Sequence, residues 1–219
     1  MTVVIQKEFS EQLLRWWSHN KRNYPWRRTR DPYCILIAEV LLHRTRADQV
    51  APVYTRLISQ FPEITSLAHA SKDEIEELLQ PLGLHWRVKL LFSMVKQVIQ
   101  KYGGKIPSDK DQLESLPGVS HYIASAVRCF GLALPDPILD TNTVRIVGRV
   151  FGIPVSDSSR RNKKFRELYQ SLMDVKRPRE FNFAMIDLAA LLCKPTNPVC
   201  YQCPVRNKCR HGMSAGDIT

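Results

Sequence analysis

Residues 108–132 read SDKDQLESLPGVSHYIASAVRCFGL. A short helix should end at Leu116, Pro117-Gly118 should force a tight turn, and a second helix should start near Ser120. Serine is a good helix cap. A turn that feeds a helix N-terminus points free backbone N–H groups outward, and these can grip a phosphate. The same residues also suit an ordinary helix–helix connection, which is the commoner arrangement.

Outward from this hairpin the dominant period is helical. In residues 8–19, Phe9, Leu13, Leu14, Trp16 and Trp17 make one apolar face. Segments at 33–44, 47–61, 85–102, 121–132, 141–152, 163–173 and 180–192 read the same way. Prolines and glycines punctuate between them, among them Pro62, Pro81, Gly83, Gly103-Gly104, Pro135 and Pro178. No strand ladder, internal repeat or low-complexity tract is visible, so the chain is expected to be all-α. Residues 194–219 are too broken for regular structure without a staple, and disorder is expected from about Gly212.

The 219 residues are 44% hydrophobic, enough for a substantial core. Lys and Arg total 32 against 21 for Asp and Glu, a formal charge of +11. That excess favours a polyanionic partner, because each phosphate contact releases condensed counterions. Charge interrupts the N-terminus too early for a signal peptide, and no apolar run approaches the roughly 18 residues that span a bilayer. A soluble, intracellular protein of cytoplasm or nucleoid, monomeric and without a membrane partner, is expected.

Of six cysteines, Cys34 and Cys129 stand alone in apolar runs. The other four are spaced Cys193-x6-Cys200-x2-Cys203-x5-Cys209. In a reducing compartment such crowding suggests a metal site rather than disulfides. Zinc sites with four cysteines usually carry two separated C-x2-C pairs, and here there is one. Lys194, Arg206, Lys208 and Arg210 make this loop basic, suited to a phosphate backbone.

Two carboxylates draw attention. Asp140, in residues 137–145 (PILDTNTVR), sits where a helix should begin. It reads as an N-cap, and the helix N-terminus favours its ionised form. Glu39 is the only charge in the apolar run 33–42. Buried without a partner, it would stay protonated longer, as a general acid must. Paired with a nearby arginine, it would be structural.

These motifs resemble the endonuclease III family of helix-hairpin-helix DNA glycosylases, from about Trp16 to Cys209. The cysteine spacing is the family's, and the resemblance implies a [4Fe–4S] cluster on Cys193, Cys200, Cys203 and Cys209. It implies two helical lobes with a DNA cleft between: a helical-barrel lobe with the hairpin at 25–134, and a cluster lobe combining 1–24 with 135–219. Gly118, Val119, Ser120 and His121 match the phosphate-gripping hairpin, although the family often has glycine where Ser120 stands. Asp140 matches the catalytic aspartate, beside an oxocarbenium-like sugar. Residues 25–50, PWRRTRDPYCILIAEVLLHRTRADQV, resemble the branch acting on adenine and thymine mismatches, in which a glutamate at the position of Glu39 assists departure of the base. Residues 81–87, PLGLHWR, resemble the turn that wedges into the duplex, so Leu84 and Arg44 are expected to fill the gap left by a flipped nucleotide.

Endonuclease III proper has a lysine, which forms a Schiff base, four residues after the hairpin glycine. Here that position is Tyr122, which cannot form the iminium that leads to strand cleavage. The resemblance therefore points to a monofunctional enzyme on double-stranded DNA, with Tyr122 lining the pocket. The adenine branch has a small residue there and carries a further C-terminal domain, so thymine or uracil opposite guanine is the expected substrate. The alternatives are an adenine-mismatch glycosylase, an enzyme that also cleaves abasic sites, and a non-catalytic DNA-binding module of the same fold.

Overall fold

The computed structural model describes residues 3–83 and 85–214, and these contain helices and turns but no strand. The chain divides into two compact units, Asn23–Leu134 and Met1–Arg22 with Pro135–Thr219. Leu84 lies outside the described residues. No helix among them is long and apolar enough to cross a membrane.

The first helix, α1 (Val3–Asn20), belongs to the unit that resumes at Pro135. The intervening unit carries α2 (Pro32–Leu42), α3 (Ala47–Gln60), α4 (Ile64–Ala68), α5 (Lys72–Leu79), α6 (His85–Tyr102), α7 (Lys110–Glu114) and α8 (His121–Ala126). Asp31 caps α2 by accepting from the Tyr33 and Cys34 amides, with Pro32 pre-set for the first turn. Every residue of α2 from Tyr33 to Leu41 is buried, as expected of a helix that is apolar on all sides save at Glu39. It packs against α3, α8 and the turn that follows α8.

Several expected helices have different limits: α1 begins at Val3 rather than near Glu8, and α7 ends at Glu114, short of Leu116. The helix expected at 33–44 stops at Leu42, because His43 is extended and Arg44 is left-handed with φ 62°. The helix expected at 121–132 gives way to a wider π turn at Val127–Gly131. It ends where a Cβ on Gly131 would stand 3.0 Å from the Pro32 Cα, so the backbone of α2 leaves no room for a side chain. The helix expected at 180–192 already begins at Pro178.

The second unit adds α9 (Thr141–Phe151), α10 (Lys163–Leu172), α11 (Pro178–Leu191) and α12 (Arg210–Ser214) to α1. Phe9, Leu13, Val147, Phe165, Tyr169, Phe181, Met185 and Leu188 form its core. Asp187 on α11 is fully buried. Its Oδ1 accepts from Arg22 Nε at 2.6 Å and its Oδ2 from Trp17 Nε1 at 2.9 Å, which fixes the end of α1. The expected disorder from Gly212 does not begin there. Gly212 is buried within α12, its amide donates to Cys209 Sγ at 3.4 Å, and its carbonyl accepts from Arg206 Nε.

Candidate functional site

Asp140 is the N-cap of α9, with extended backbone. Its Oδ1 accepts from the amides of Asn142 at 2.9 Å and Thr143 at 2.7 Å, and its Oδ2 accepts from Asn142 Nδ2 at 2.8 Å. In return its own amide donates to Thr143 Oγ1 at 2.9 Å, and that hydroxyl donates to the Ile138 carbonyl at 2.8 Å. Three N–H donors on one carboxylate fix its orientation with charge-assisted hydrogen bonds.

The approach to Asp140 is pinned from α11. Asn182, fully buried, accepts at Oδ1 from the Ile138 amide (3.1 Å) and the Tyr169 hydroxyl (2.6 Å). Its Nδ2 donates to the carbonyls of Pro178 (2.9 Å) and Asp136 (3.2 Å). Sequence reasoning missed Asn182, since its partners lie 13 and 44 residues away.

Further along α9, Arg145 Nη1 donates to Asn142 Oδ1 at 3.0 Å, its Nε to the Cys193 carbonyl at 2.9 Å and its Nη2 to the Ala189 carbonyl at 3.3 Å. One turn on, Arg149 Nη1 donates to Cys193 Sγ at 3.3 Å and to the Lys194 carbonyl at 2.7 Å. A chain of hydrogen bonds thus runs from Asp140 through Asn142 and Arg145 to Cys193. These two arginines were also not singled out from the sequence; their spacing of four places both on one helix face.

Cys193, Cys200, Cys203 and Cys209 line one cavity, together with Arg149 and Leu192. Burial pushes the Cys203 thiol up to about 12 and raises that of Cys209, so a metal entering here displaces protons. Among the described residues no group of three or more His, Cys, Asp or Glu closes around a single-ion position. The donor set suits a sulfur-rich centre: four cysteines on a shared cavity, an arginine donating to Cys193 Sγ and an amide donating to Cys209 Sγ.

The other unit holds the remaining expected residues. Glu39 lies on the core helix α2 and is 5% exposed. Tyr122 is half-buried in the first turn of α8, the helix that packs against α2. Gly118, at φ 79°, makes the left-handed turn the hairpin requires, and the Val119 amide closes it on the Leu116 carbonyl at 3.1 Å. Val119 is buried, while Ser120 caps α8 by accepting from the Ile123 amide at 3.3 Å. His121 Nδ1 lies 2.8 Å from Glu114 Oε1, linking α8 back to α7. Pro117 and Gly118 line a small apolar cavity with Val40, Leu91 and Ile123, and a Cβ on Gly118 would stand 3.5 Å from the Leu90 side chain of α6. Arg44 is exposed and left-handed, a conformation that costs a non-glycine residue energy and that collects at functional positions.

Residues 37–171 match the HhH-GPD superfamily base excision DNA repair protein family. The thymine-DNA glycosylase of Aeropyrum pernix is 38% identical over 90% of this chain and 91% of its own length. The thymine/uracil-DNA glycosylase of Pyrobaculum aerophilum is 37% identical over 93% and 91%. Among solved structures, a thermostable thymine-DNA glycosylase superposes with a TM-score of 0.87 at 32% identity, covering 96% of this chain and 98% of the other.

Proposed function

The chain belongs to the HhH-GPD superfamily of base excision DNA repair proteins, and from that premise we propose that it is a monofunctional DNA glycosylase removing thymine or uracil opposite guanine. The observation that carries this reading is the Asp140 carboxylate, held by three N–H donors at the head of α9. The names of the relatives at 37% and 38% identity support the choice of base.

A monomer grips the duplex with the hairpin turn at Gly118, Val119, Ser120 and His121. The target nucleotide leaves the stack most cheaply from a weak wobble pair. Arg44 and Leu84 fill the gap, and Tyr122 lines the pocket that receives the flipped nucleotide. The C1′–N1 bond breaks with its electron pair going to the base, whose developing charge Glu39 relieves by donating a proton or hydrogen bond. Asp140 faces the cationic sugar and stabilises it electrostatically. Water adds at C1′ and its proton passes to Asp140 or solvent, leaving free base and an abasic site. Tyr122 offers no amine, so no imine forms on the sugar and the strand stays intact.

The four cysteines would hold a [4Fe–4S] cluster, which supplies a structural and redox-capable tie for the basic loop. Arg149 and the Gly212 amide would donate to its cysteine sulfurs, as they do to Cys193 and Cys209 here.

A panel of end-labelled duplexes, each with one mismatch, tests the reading with and without hot alkali. Alkali-dependent breaks at T·G and U·G, exceeding those at adenine mismatches, are expected. Breaks without alkali, or breaks confined to adenine mismatches, would contradict it.

A further inference from the structure

Residues 160–166 read RRNKKFR, five cations in seven positions with no acid among them. The run is not a solvated tail. Ser159 is buried just before it and Phe165 within it, and Tyr169 anchors the next turn of α10 at 0% exposure. The Ser156 amide donates to Ser159 Oγ at 3.0 Å, closing the short helical turn Asp157–Arg161, and Asn162 caps α10 through the Lys164 amide at 2.8 Å. Arg160, Arg161, Lys163 and Lys164 are all exposed on this fixed frame.

Stability does not account for these charges. Lysines in the first turn of a helix oppose the helix dipole, and two stand there in α10. Compensation is slight: Lys163 lies 3.8 Å from Glu167 on a mostly exposed pair, and neither Arg161 nor Lys164 forms an ion pair. Position within the unit separates the run from Asp140. Tyr169, near the C-terminal end of α10, meets Asn182, which also holds Ile138. Lys163 is six residues, about 9 Å of helix, back from Tyr169. The turn Asp157–Arg161 packs on both α9 and α10 after α9 has run its 11 residues, about 16 Å, away from Asp140.

We propose that Arg160, Arg161, Lys163 and Lys164 form an auxiliary docking surface for the phosphate backbone of duplex DNA, distinct from the groups that grip the target nucleotide. The partner follows from charge complementarity: a row of exposed cations with only slight compensation, on a chain of net charge +11, fits a polyanion of regular spacing. The inference rests on the proposed action on duplex DNA. On a long duplex the surface adds phosphate contacts; on one barely longer than the lesion site it has nothing to hold.

The test compares the wild type with the double variant Arg161→Gln, Lys164→Gln, both sites being exposed and free of structural partners. Affinity for a long and a short G·T duplex is measured across salt, with single-turnover excision at saturating protein alongside. On the long duplex the slope of log K against log salt should fall by about 1.8, close to 0.9 per lost phosphate contact. On the short duplex the slope should not change, and the excision rate should match the wild type on both. An unchanged slope on the long duplex overturns the proposal. So does loss of poly-glutamate binding in the variant with duplex affinity intact, which would assign the surface to an acidic protein. Wild type that binds long duplex with the expected slope difference yet excises nothing would contradict the glycosylase reading alone.

Discussion

Arg145 reaches the backbone carbonyl of Cys193 with its Nε at 2.9 Å. The same guanidinium holds Asn142, whose side-chain amide holds the Asp140 carboxylate. The Asp140 end of α9 and the start of the cysteine loop are therefore braced by one side chain. Arg145→Ala removes three hydrogen bonds from a half-buried cation and should cost about 2–3 kcal/mol of stability. Arg145→Lys should recover little, since an ammonium cannot reproduce the planar fork. Thermal melting read beside the excision rate checks both.

Asn182 makes a second prediction. Asn182→Ala removes the acceptor of the Tyr169 hydroxyl and leaves the buried Ile138 amide without its partner, at about 1–3 kcal/mol for a buried group left unsatisfied. The melting temperature should fall by several degrees, and excision at low temperature should fall with it, because the segment leading into Asp140 loses its anchor. A melting curve matching the wild type would contradict this account of the anchor.

Glu39→Gln keeps the volume of a buried side chain but removes its proton-donating acid. Loss of a general acid costs typically 10²–10⁴-fold in rate. Excision should fall within that span while affinity for the mismatched duplex stays within a few-fold. Single-turnover kinetics and equilibrium binding on the same duplex separate the two effects.

The purified protein should carry about four irons per chain. Loading of metal-free protein should weaken as pH falls, because the raised Cys203 and Cys209 thiols must lose protons to bind. Iron analysis and loading curves at several pH values read this out. Stoichiometric zinc without iron after anaerobic purification would contradict the cluster assignment.

Tyr122→Lys places an amine at the Schiff-base position of the hairpin. Borohydride should then trap the variant covalently on substrate DNA and leave wild type untrapped. Equal trapping of both would mean that Tyr122 does not occupy that position.

Much of this fold was legible because its signals are short-range. Pro117-Gly118 before Ser120 announces a turn and a cap within four residues, and the structure has both. Asp140 reads as an N-cap, and it caps α9. The box Ser71–Glu74 at the start of α5 was equally local, a serine three residues before a glutamate, and went unread. What the sequence hides is long-range or strained. Nothing near Ile138 indicates that its amide will meet Asn182, 44 residues away. Arg44 carries no mark of its left-handed backbone, since arginine has no preference for that region. The π turn at Val127–Gly131 ends where Pro32 comes close to Gly131, a tertiary contact invisible to helical periodicity.

The central claim is hydrolysis of a glycosidic bond without strand scission, carried by Asp140. It is tested most directly by following a G·T duplex in single turnover and measuring free thymine released per strand, with strand integrity read from the same sample. The account predicts one thymine per duplex, strands intact until alkali is added, and no release by Asp140→Asn although that variant still binds. Strand breaks without free base, or near-normal release by Asp140→Asn, would contradict it.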